Sequence, residues 1–322
     1  MIKILLIGCG QLGSRYVQGF FNSKYQIVIQ ILEPNELSRI NLMKILNNTA
    51  LDNKEYFFIN SIDEAYDILD LVVISTSSHV RYLIFEELIK KRQVKKVILE
   101  KILFQKKEEY YQAFDLIHKN NIQCWVNHTR RMFPFYEKIR TYLSNSSNIS
   151  FCVSGGNWGM GCNALHFLDC IQFLSQKKIQ YIDFSNIEKV LYPSKRDGFY
   201  EINGVLSGIS DGVYFSLISR KTFSPHIFYI DSDDISIIVD EGKNSYYIKE
   251  KKSNWNEFIF IQEKICYYQS ELSSILLDDI VNDICRLPLY KESMELHLKF
   301  IEPFIRHINS FSSKQYDYCP IT

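Results

Sequence analysis

Short apolar runs alternate with longer stretches of helical periodicity over residues 1–126. This alternation is typical of βαβ units, in which parallel strands are joined by crossover helices. Six strands are predicted, at Lys3–Ile7, Gln26–Leu32, Tyr56–Ile59, Leu71–Ser75, Lys96–Leu99 and Gln123–Asn127. Helices are predicted between them, notably at Gly13–Phe21, Val80–Lys91 and Lys107–Lys119. The first part of the chain is therefore predicted to be a doubly wound, Rossmann-type α/β domain with a parallel sheet.

The pattern changes after residue 126. A helix, a strand and a helix are predicted first, at Pro134–Leu143, Ile149–Ser154 and Ala164–Ser175. Strand-like runs separated by turn sequences follow, at Phe199–Leu206, Gly212–Ser219, His226–Ile230, Ile235–Val239 and Ser245–Lys249. Helices at Glu271–Asp283 and Tyr290–Ile308 close the chain. Strands joined by short turns predict an α+β domain with a mostly antiparallel sheet over residues 127–322.

Length, charge and cysteine content restrict the possible classes. The chain has 322 residues, which exceeds the about 250–300 residues of a single core and supports two domains, 1–126 and 127–322. Lys+Arg 37 balance Asp+Glu 37, so we expect no nucleic-acid or anionic-membrane partner. Apolar runs fall short of the about 18 residues of a membrane span, and the N-terminus suggests a strand rather than a signal peptide. Eight scattered cysteines favour reduced thiols in a cytoplasm.

A glycine-rich run directly follows the first predicted strand. Gly8, Gly10 and Gly13 form the pattern G-x-G-x-x-G at the start of a predicted helix, as in dinucleotide-binding domains. The glycines would allow a tight turn, a close approach of the pyrophosphate, and close packing of helix on strand. The helix N-terminus would offer N–H groups to the phosphates. The pattern predicts cofactor contacts from Gly8, Gly10, Gln11, Leu12 and Gly13.

The residue at the end of the second strand bears on the choice of cofactor. Glu33 follows Gly13 by twenty residues, the spacing of the acid that binds the ribose hydroxyls. Its carboxylate would repel a 2′-phosphate, and Pro34 and Asn35 provide no arginine to hold one. We therefore expect NAD(H), with NADP(H) as the weaker ligand. The alternative is a plain tight turn in which Glu33 caps a loop.

Four further segments match motifs of one family. They read ISTSSH over Ile74–His79, LEKIL over Leu99–Leu103, NHTRRM over Asn127–Met132 and HFLD over His166–Asp169. Together with the glycine run, they make the chain similar to the Gfo/Idh/MocA oxidoreductases, which include glucose-fructose oxidoreductase and inositol dehydrogenase. The resemblance covers most of the chain. Each motif alone is weak, whereas the set is specific.

The chain departs from the family pattern at two positions. Ile102 stands where the family usually has proline, which bears on loop geometry, and Cys162 stands where it usually has aspartate, which bears on the chemistry. The segments Ser154–Gly159 and Cys319–Thr322 further resemble members that act in bacterial surface-polysaccharide synthesis.

The resemblance implies roles for specific residues. His166 would take the hydroxyl proton and Lys101 would hold the substrate oxygen, as the oxidation of an alcohol requires. Further cofactor contacts are expected from Ser75, Thr76, His79, Glu100 and Lys101. Substrate contacts are expected from Arg131, Trp158, Asn163 and Asp169. The alternatives are a solvated surface lysine, a core histidine, a solvated arginine and a packed tryptophan.

The surroundings of His166 decide how well it can act as a base. Asn163 is a good N-cap residue, which would put His166 in the first helical turn, where the helix dipole disfavours an imidazolium. Cys162 cannot orient the ring as a carboxylate would, so either the partner is Asp169 or a group from another segment, or proton transfer is slow and turnover is modest. Cys162, His166 and Cys170 share one helical stripe, but zinc ligands usually come from separate elements, so we expect no metal.

These observations predict a cytoplasmic NAD-dependent dehydrogenase or reductase that acts on a ring carbon of a sugar. The substrate would be a nucleotide-activated or amino sugar of bacterial glycan synthesis. The chain is rich in aromatic residues, with Tyr 21 and Phe 22, and the second domain has too few helices to cover both faces of its sheet, which predicts a homodimer or homotetramer. One alternative is an enzyme that uses tightly held NAD for transient oxidation during elimination or epimerisation. Another is a non-catalytic NAD-binding regulator or scaffold, which the loss of the carboxylate at Cys162 favours.

Overall fold

A computed structural model describes residues 1–47 and 53–322. The chain divides into two compact units, each built from several segments. Unit 1 comprises Met1–Phe104, Glu108–Thr129 and Tyr267–Met294. Unit 2 comprises Gln105–Lys107, Arg130–Cys266 and Glu295–Thr322. The domain boundary between residues 126 and 127 stays a prediction.

Unit 1 contains a six-stranded parallel sheet with the order β3-β2-β1-β4-β5-β6. The strands are β1 Ile2–Ile7, β2 Ile27–Leu32, β3 Lys54–Ile59, β4 Ile68–Ile74, β5 Gln93–Leu99 and β6 Gln123–Val126. The helices of this region are α1 Gln11–Phe21, α2 Glu36–Leu46, α3 Ser78–Lys91 and α4 Lys107–Lys119. This strand order, with its reversal between β1 and β4, is that of the Rossmann fold. The predicted α/β class is confirmed.

Unit 2 contains an eight-stranded sheet with the order β16-β15-β14-β13-β7-β12-β11-β8. Its strands are β7 Ile149–Gly156, β8 Tyr181–Ile187, β11 Gly204–Ser210, β12 Val213–Arg220, β13 Ser224–Ser232, β14 Ile235–Asp240, β15 Ser245–Glu250 and β16 Ile259–Gln262. Two short strands, β9 Tyr192–Pro193 and β10 Tyr200–Glu201, pair separately. Among the described strands of this eight-stranded sheet, only β7 and β12 pair in parallel. The mostly antiparallel sheet is therefore confirmed.

The remaining helices are α5 Pro134–Leu143, α6 Met160–Ser175, α7 Gln269–Val281 and α8 Tyr290–Asn309. Within unit 1, α7 packs on α1 at Gly19, where a Cβ atom would lie 2.4 Å from the carbonyl oxygen of Ser270. Only a glycine permits this approach. In the described residues no helix has both the length and the apolar composition that a membrane crossing needs.

Four elements were missed and one predicted strand is divided. The sequence pattern did not predict α2, β8, β9 or β16, which bury few side chains and so lack a clear apolar period. The strand predicted at Phe199–Leu206 is split into β10 and β11. The split falls before Gly204, which has a φ of 115° that strands of L-residues do not adopt.

Candidate functional site

The glycine loop connects β1 to α1 in unit 1. Gly8 has a φ of 89°, and a Cβ atom on Gly13 would lie 1.9 Å from the Gly8 carbonyl oxygen. A Cβ atom on Gly10 would meet nothing within 4 Å. Gly10 is also the N-cap of α1, and no side chain caps that helix. Gly8 and Gly13 are therefore required for steric reasons, whereas Gly10 leaves the helix N-terminus open to a ligand.

A cleft of about 240 Å³ opens beside this loop, between the start of α1 and α2. It is lined by Cys9, Gly10, Gln11, Ser14, Arg15, Ser38, Asn41 and Ile45. Burial and the neighbouring Glu33 raise the pKa of the Cys9 thiol to about 12, so the thiol is neutral at pH 7. The other lining residues offer backbone N–H groups, two hydroxyls, two side-chain amides and a guanidinium.

Glu33 follows β2 and is bound to the glycine loop. Its carboxylate accepts hydrogen bonds from the backbone N–H groups of Cys9, at 2.7 Å, and Asn35, at 2.9 Å. Its side chain is buried, and its carbonyl oxygen accepts a hydrogen bond from Nε of Arg39. The Arg39 Nη2 also donates to Oδ1 of Asn60 at 3.2 Å. Pro34 and Asn35 provide no arginine, but Arg39 of α2 does lie near the end of β2.

The loop after β4 packs directly on the glycine loop. Ser75 Oγ donates a hydrogen bond to the Gly8 carbonyl oxygen at 2.5 Å, and Thr76 limits the space around Gly8. His79 is exposed in the first turn of α3. Ser75 and Thr76 therefore lie at the point where the strand order reverses, which is where open α/β sheets bind ligands.

Lys101 follows β5 at the same carboxyl edge of the sheet and is half-buried. Its neighbour Glu100 is buried and accepts hydrogen bonds from the Tyr16 hydroxyl at 2.7 Å and from Nδ2 of Asn127 at 2.8 Å. Burial raises the pKa of Glu100, although both of these hydrogen bonds oppose the rise. Glu100 therefore fixes the base of the Lys101 loop, and its carboxylate is engaged inside unit 1.

Arg81 of α3 holds the same loop and was missed by the sequence reasoning. Its Nη1 donates to the carbonyl oxygens of Glu100 at 2.8 Å and Leu103 at 2.9 Å, and also to that of Ile102. Its Nη2 donates to the carbonyl oxygen of Thr76. Arg81 lies four residues before the buried Phe85. The sequence signal that could have identified Arg81 is a charged residue within the apolar stripe of a helix.

In unit 2, helix α6 begins earlier than predicted. Its N-cap is Gly159, with a φ of 72°, and its first residue is Met160. Asn163 lies inside the helix and donates from Nδ2 to the carbonyl oxygen of Trp158 at 2.9 Å. His166 therefore occupies the second turn. The expectation of an Asn163 cap with His166 in the first turn is wrong, and the dipole effect on His166 is weaker because it falls off within the first turn.

The start of α6 also contacts a carboxylate from another segment. The backbone N–H of Cys162 donates to Oε2 of Glu201 at 3.2 Å. His166 is half-buried one turn further along the helix, and its Nδ1 is shielded from solvent. Glu201 was not singled out from the sequence, where no motif surrounds it.

Arg131 and Asp169, both predicted to contact substrate, are paired with each other. The guanidinium donates to both carboxylate oxygens, at 2.9 and 2.8 Å, and both residues are buried. Neighbouring Arg130 makes a second bidentate pair with Glu241, at 2.8 and 2.6 Å. Burial opposes ionisation of Glu241, but Arg130 together with His226 and Tyr136 outweighs it and lowers the Glu241 pKa.

Trp158 is half-buried beside these groups in unit 2. Its Nε1 donates to the carbonyl oxygen of Ile218 at 2.9 Å, and its ring lies near those of Phe167 and His226, at centroid distances of 5.5 and 6.0 Å. Within residues 1–47 and 53–322, no three histidine, cysteine or acidic side chains are grouped so that they could hold a metal ion. No disulfide joins the eight cysteines, all of which lie in the same ranges.

Comparison with known proteins identifies the fold. No family model and no curated protein sequence matches the chain. Solved structures match over nearly the full length. UDP-N-acetylglucosamine 3-dehydrogenase GnnA from Acidithiobacillus ferrooxidans is 14% identical, with a TM-score of 0.70 over 96% of this chain and 98% of that one. Levoglucosan dehydrogenase, in complex with NADH and levoglucosan, is 15% identical, with a TM-score of 0.72 over 97% and 98%.

A protein of another class has the same fold. The transcriptional regulator Gal80p from Kluyveromyces lactis is 15% identical, with a TM-score of 0.69 over 96% of this chain and 90% of that one. The resemblance drawn from the motifs is confirmed for the fold. Since dehydrogenases and a regulator share that fold, activity has to be argued from the residues.

Proposed function

We propose that the protein is an NAD(H)-dependent oxidoreductase that moves a hydride between a ring carbon of a sugar and the nicotinamide. The observation that carries this proposal is the open N-terminus of α1 behind Gly8, Gly10 and Gly13, with Glu33 fixed beside it. In this proposal residues 1–126 bind the cofactor, and residues 127–322 bind the substrate.

The residues of unit 1 fit a dinucleotide. Backbone N–H groups at Gln11 and Leu12 would bind the pyrophosphate, because the helix end is uncapped and the space above Gly10 is empty. Glu33 would accept hydrogen bonds from the ribose diol and disfavour a 2′-phosphate. Ser75 and Thr76 would line the opposite side of the loop. The bound cofactor would supply the hydride acceptor, or the donor in the reverse direction.

His166 and Lys101 are the proposed catalytic residues. His166 would take the hydroxyl proton during oxidation and return it during reduction. The Lys101 ammonium would donate a hydrogen bond to the substrate oxygen as negative charge develops on it. Arg81 binds the carbonyl oxygens of Glu100 and Leu103 on either side of Lys101. Tyr16 and Asn127 bind the Glu100 carboxylate at the base of the same loop, and this fixed backbone is the preorganisation that such a donor needs.

The proposed substrate is a nucleotide-activated or amino sugar of bacterial glycan synthesis. Two neighbours in structure, GnnA and levoglucosan dehydrogenase, are named for sugar substrates. Trp158 offers a half-buried aromatic face, and Asn163 lies on the adjacent helical turn. Since Arg131 and Asp169 satisfy each other, we assign their contribution to the shape of this region. The reduced cysteines agree with a cytoplasmic enzyme.

Self-association would use the outer face of the unit 2 sheet. Tyr229, Ile238, Tyr247 and Phe260 are register partners across β13, β14, β15 and β16. The three aromatic residues are 41%, 45% and 52% exposed. A continuous aromatic row on a sheet is typical of a protein interface, so a homodimer or homotetramer is proposed.

The regulator alternative has specific support in the Gal80p fold and in the thiol at Cys162. A turnover assay separates the two functions. The absorbance of NADH at 340 nm would be followed with UDP-N-acetylglucosamine and other nucleotide sugars, in both directions. We expect turnover that falls about 10²- to 10⁴-fold in His166→Ala. Cofactor binding without turnover on any sugar would favour the regulator, and tightly held NAD without net NADH change would favour transient oxidation.

A further inference from the structure

A histidine that acts as a base works best when an acidic group orients its ring and stabilises the imidazolium that forms. The residues of α6 itself do not provide one. Asp169 has both carboxylate oxygens bound by Arg131, and position 162, one turn before His166, is a cysteine. The start of α6, however, receives a carboxylate from β10.

Glu201 is held at the first turn of α6. Its Oε2 accepts from the backbone N–H of Cys162 at 3.2 Å. Two glycines leave room for it: a Cβ atom on Gly159 would lie 3.3 Å from Oε1, and one on Gly161 would lie 2.9 Å from Oε2. An alanine at position 161 would push the carboxylate away. The two glycines at the start of α6 therefore provide the space that the Glu201 carboxylate occupies.

The backbone of β10 fixes Glu201 from the other side. Glu201 pairs with Tyr192 of β9, and the N–H of Tyr200 donates to the carbonyl oxygen of Pro320 at 2.9 Å. Ile321 also lies beside the start of α6, 3.4 Å from a Cβ atom placed on Gly161. The carboxylate is thus carried by a strand that is held on both edges.

The direction of helical side chains relates this carboxylate to His166. Cα–Cβ bonds in an α-helix tilt toward the N-terminus, so a side chain covers the turn that precedes its own Cα. For His166 this is the turn that begins at Cys162, whose N–H binds Glu201. The positive end of the helix dipole and the N–H bond both favour the ionised carboxylate.

We infer that Glu201 is the positioning residue for His166, supplying from β10 the negative charge that position 162 lacks. This inference rests on the proposed function for its catalytic meaning. The Glu201 carboxylate should favour the protonated ring of His166, and this electrostatic effect can be measured without any turnover.

The test is a titration of the histidine ring in the full chain by long-range ¹H–¹⁵N NMR. The His166 signals are assigned by their loss in His166→Ala. In Glu201→Gln, whose amide oxygen can still accept from Cys162, the midpoint of the His166 titration should fall by about one pH unit. The matched control is Glu257→Gln, an exposed glutamate of unit 2, which should leave the midpoint unchanged. An unchanged midpoint in Glu201→Gln overturns the inference.

Two further variants distinguish an effect of charge on the His166 midpoint from a loss of folding. The double variant Cys162→Asp with Glu201→Gln should restore the midpoint, because the charge returns to the same helical turn. Cys162→Asp alone should raise it above that of the unaltered chain, and the absence of a rise would also contradict the inference. If turnover is found, the acidic limb of the profile of kcat against pH should shift in each variant by as much as the midpoint of the His166 titration. Failure to find turnover would remove the proposed function and leave the ring titration to decide the role of Glu201.

Discussion

Arg131 and Asp169 form a bidentate ion pair inside unit 2, with donor–acceptor distances of 2.9 and 2.8 Å. Their side chains are 9% and 1% exposed. Removing one partner of such a pair leaves a buried charge, so Asp169→Ala should lower the free energy of unfolding by about 3–5 kcal/mol. Urea denaturation measures this. The matched control is Glu295→Gln, which breaks the exposed pair with Lys178 and should cost under about 1 kcal/mol. Equal effects of the two variants would contradict the structural role.

Arg81 should control turnover without touching substrate. Arg81→Lys removes the fork that binds the carbonyl oxygens of Glu100 and Leu103, so Lys101 would be displaced. We expect kcat to fall about 10- to 100-fold, since small displacements of a catalytic group have effects of this size. The control is Arg92→Lys, because Arg92 also binds carbonyl oxygens, those of Ile62 and Asp63, but just before β5 begins. Similar losses in both variants would point to general destabilisation.

Local patterns were sufficient to predict the strands that end at the glycine loop and at Lys101. Apolar strands of a parallel sheet have a clear sequence signal, and their carboxyl ends locate a ligand site. The missed residues are those whose role depends on distant partners. Arg81 binds carbonyl oxygens about twenty residues away, and Glu201 reaches Cys162 across 39 positions. The order of residues along the chain does not contain such contacts.

Glu33 should determine cofactor preference. Its carboxylate is fixed by the N–H groups of Cys9 and Asn35, so a 2′-phosphate cannot displace it without breaking both bonds. Titration by intrinsic fluorescence should show tighter binding of NADH than of NADPH. Glu33→Gln should tighten NADPH binding about tenfold, which corresponds to about 1.4 kcal/mol, because Arg39 is then left as the nearby charge. Glu55→Gln, on the neighbouring strand, is the control. Tighter NADPH binding by the unaltered chain would refute this assignment.

Glu241 should contribute an acid-sensitive part of the stability. Arg130, His226 and Tyr136 lower its pKa below the ordinary value of 4.5, against the opposing effect of burial. The folded state therefore binds fewer protons than the unfolded state, and this contribution is present above the unfolded pKa and lost as the pH falls through the folded one. Glu241→Gln should cost about 3–5 kcal/mol at pH 7, and the difference should shrink below about pH 4. Urea denaturation at several pH values measures this. A difference that stays constant with pH would contradict it.

The aromatic row on unit 2 should hold copies of the chain together. Tyr229 and Tyr247 lie on strands that flank β14 and are exposed on the outer face of the sheet. Placing a charge in the apolar centre of an interface is costly unless the charge is paired, so the double variant Tyr229→Glu with Tyr247→Glu should dissociate the oligomer. Sedimentation velocity should show a dimer or tetramer for the unaltered chain and a monomer for the variant. Leu83→Glu, which changes an exposed apolar residue of α3 in unit 1, should leave the mass unchanged. A monomer mass for the unaltered chain at micromolar concentration would show that this row serves another purpose.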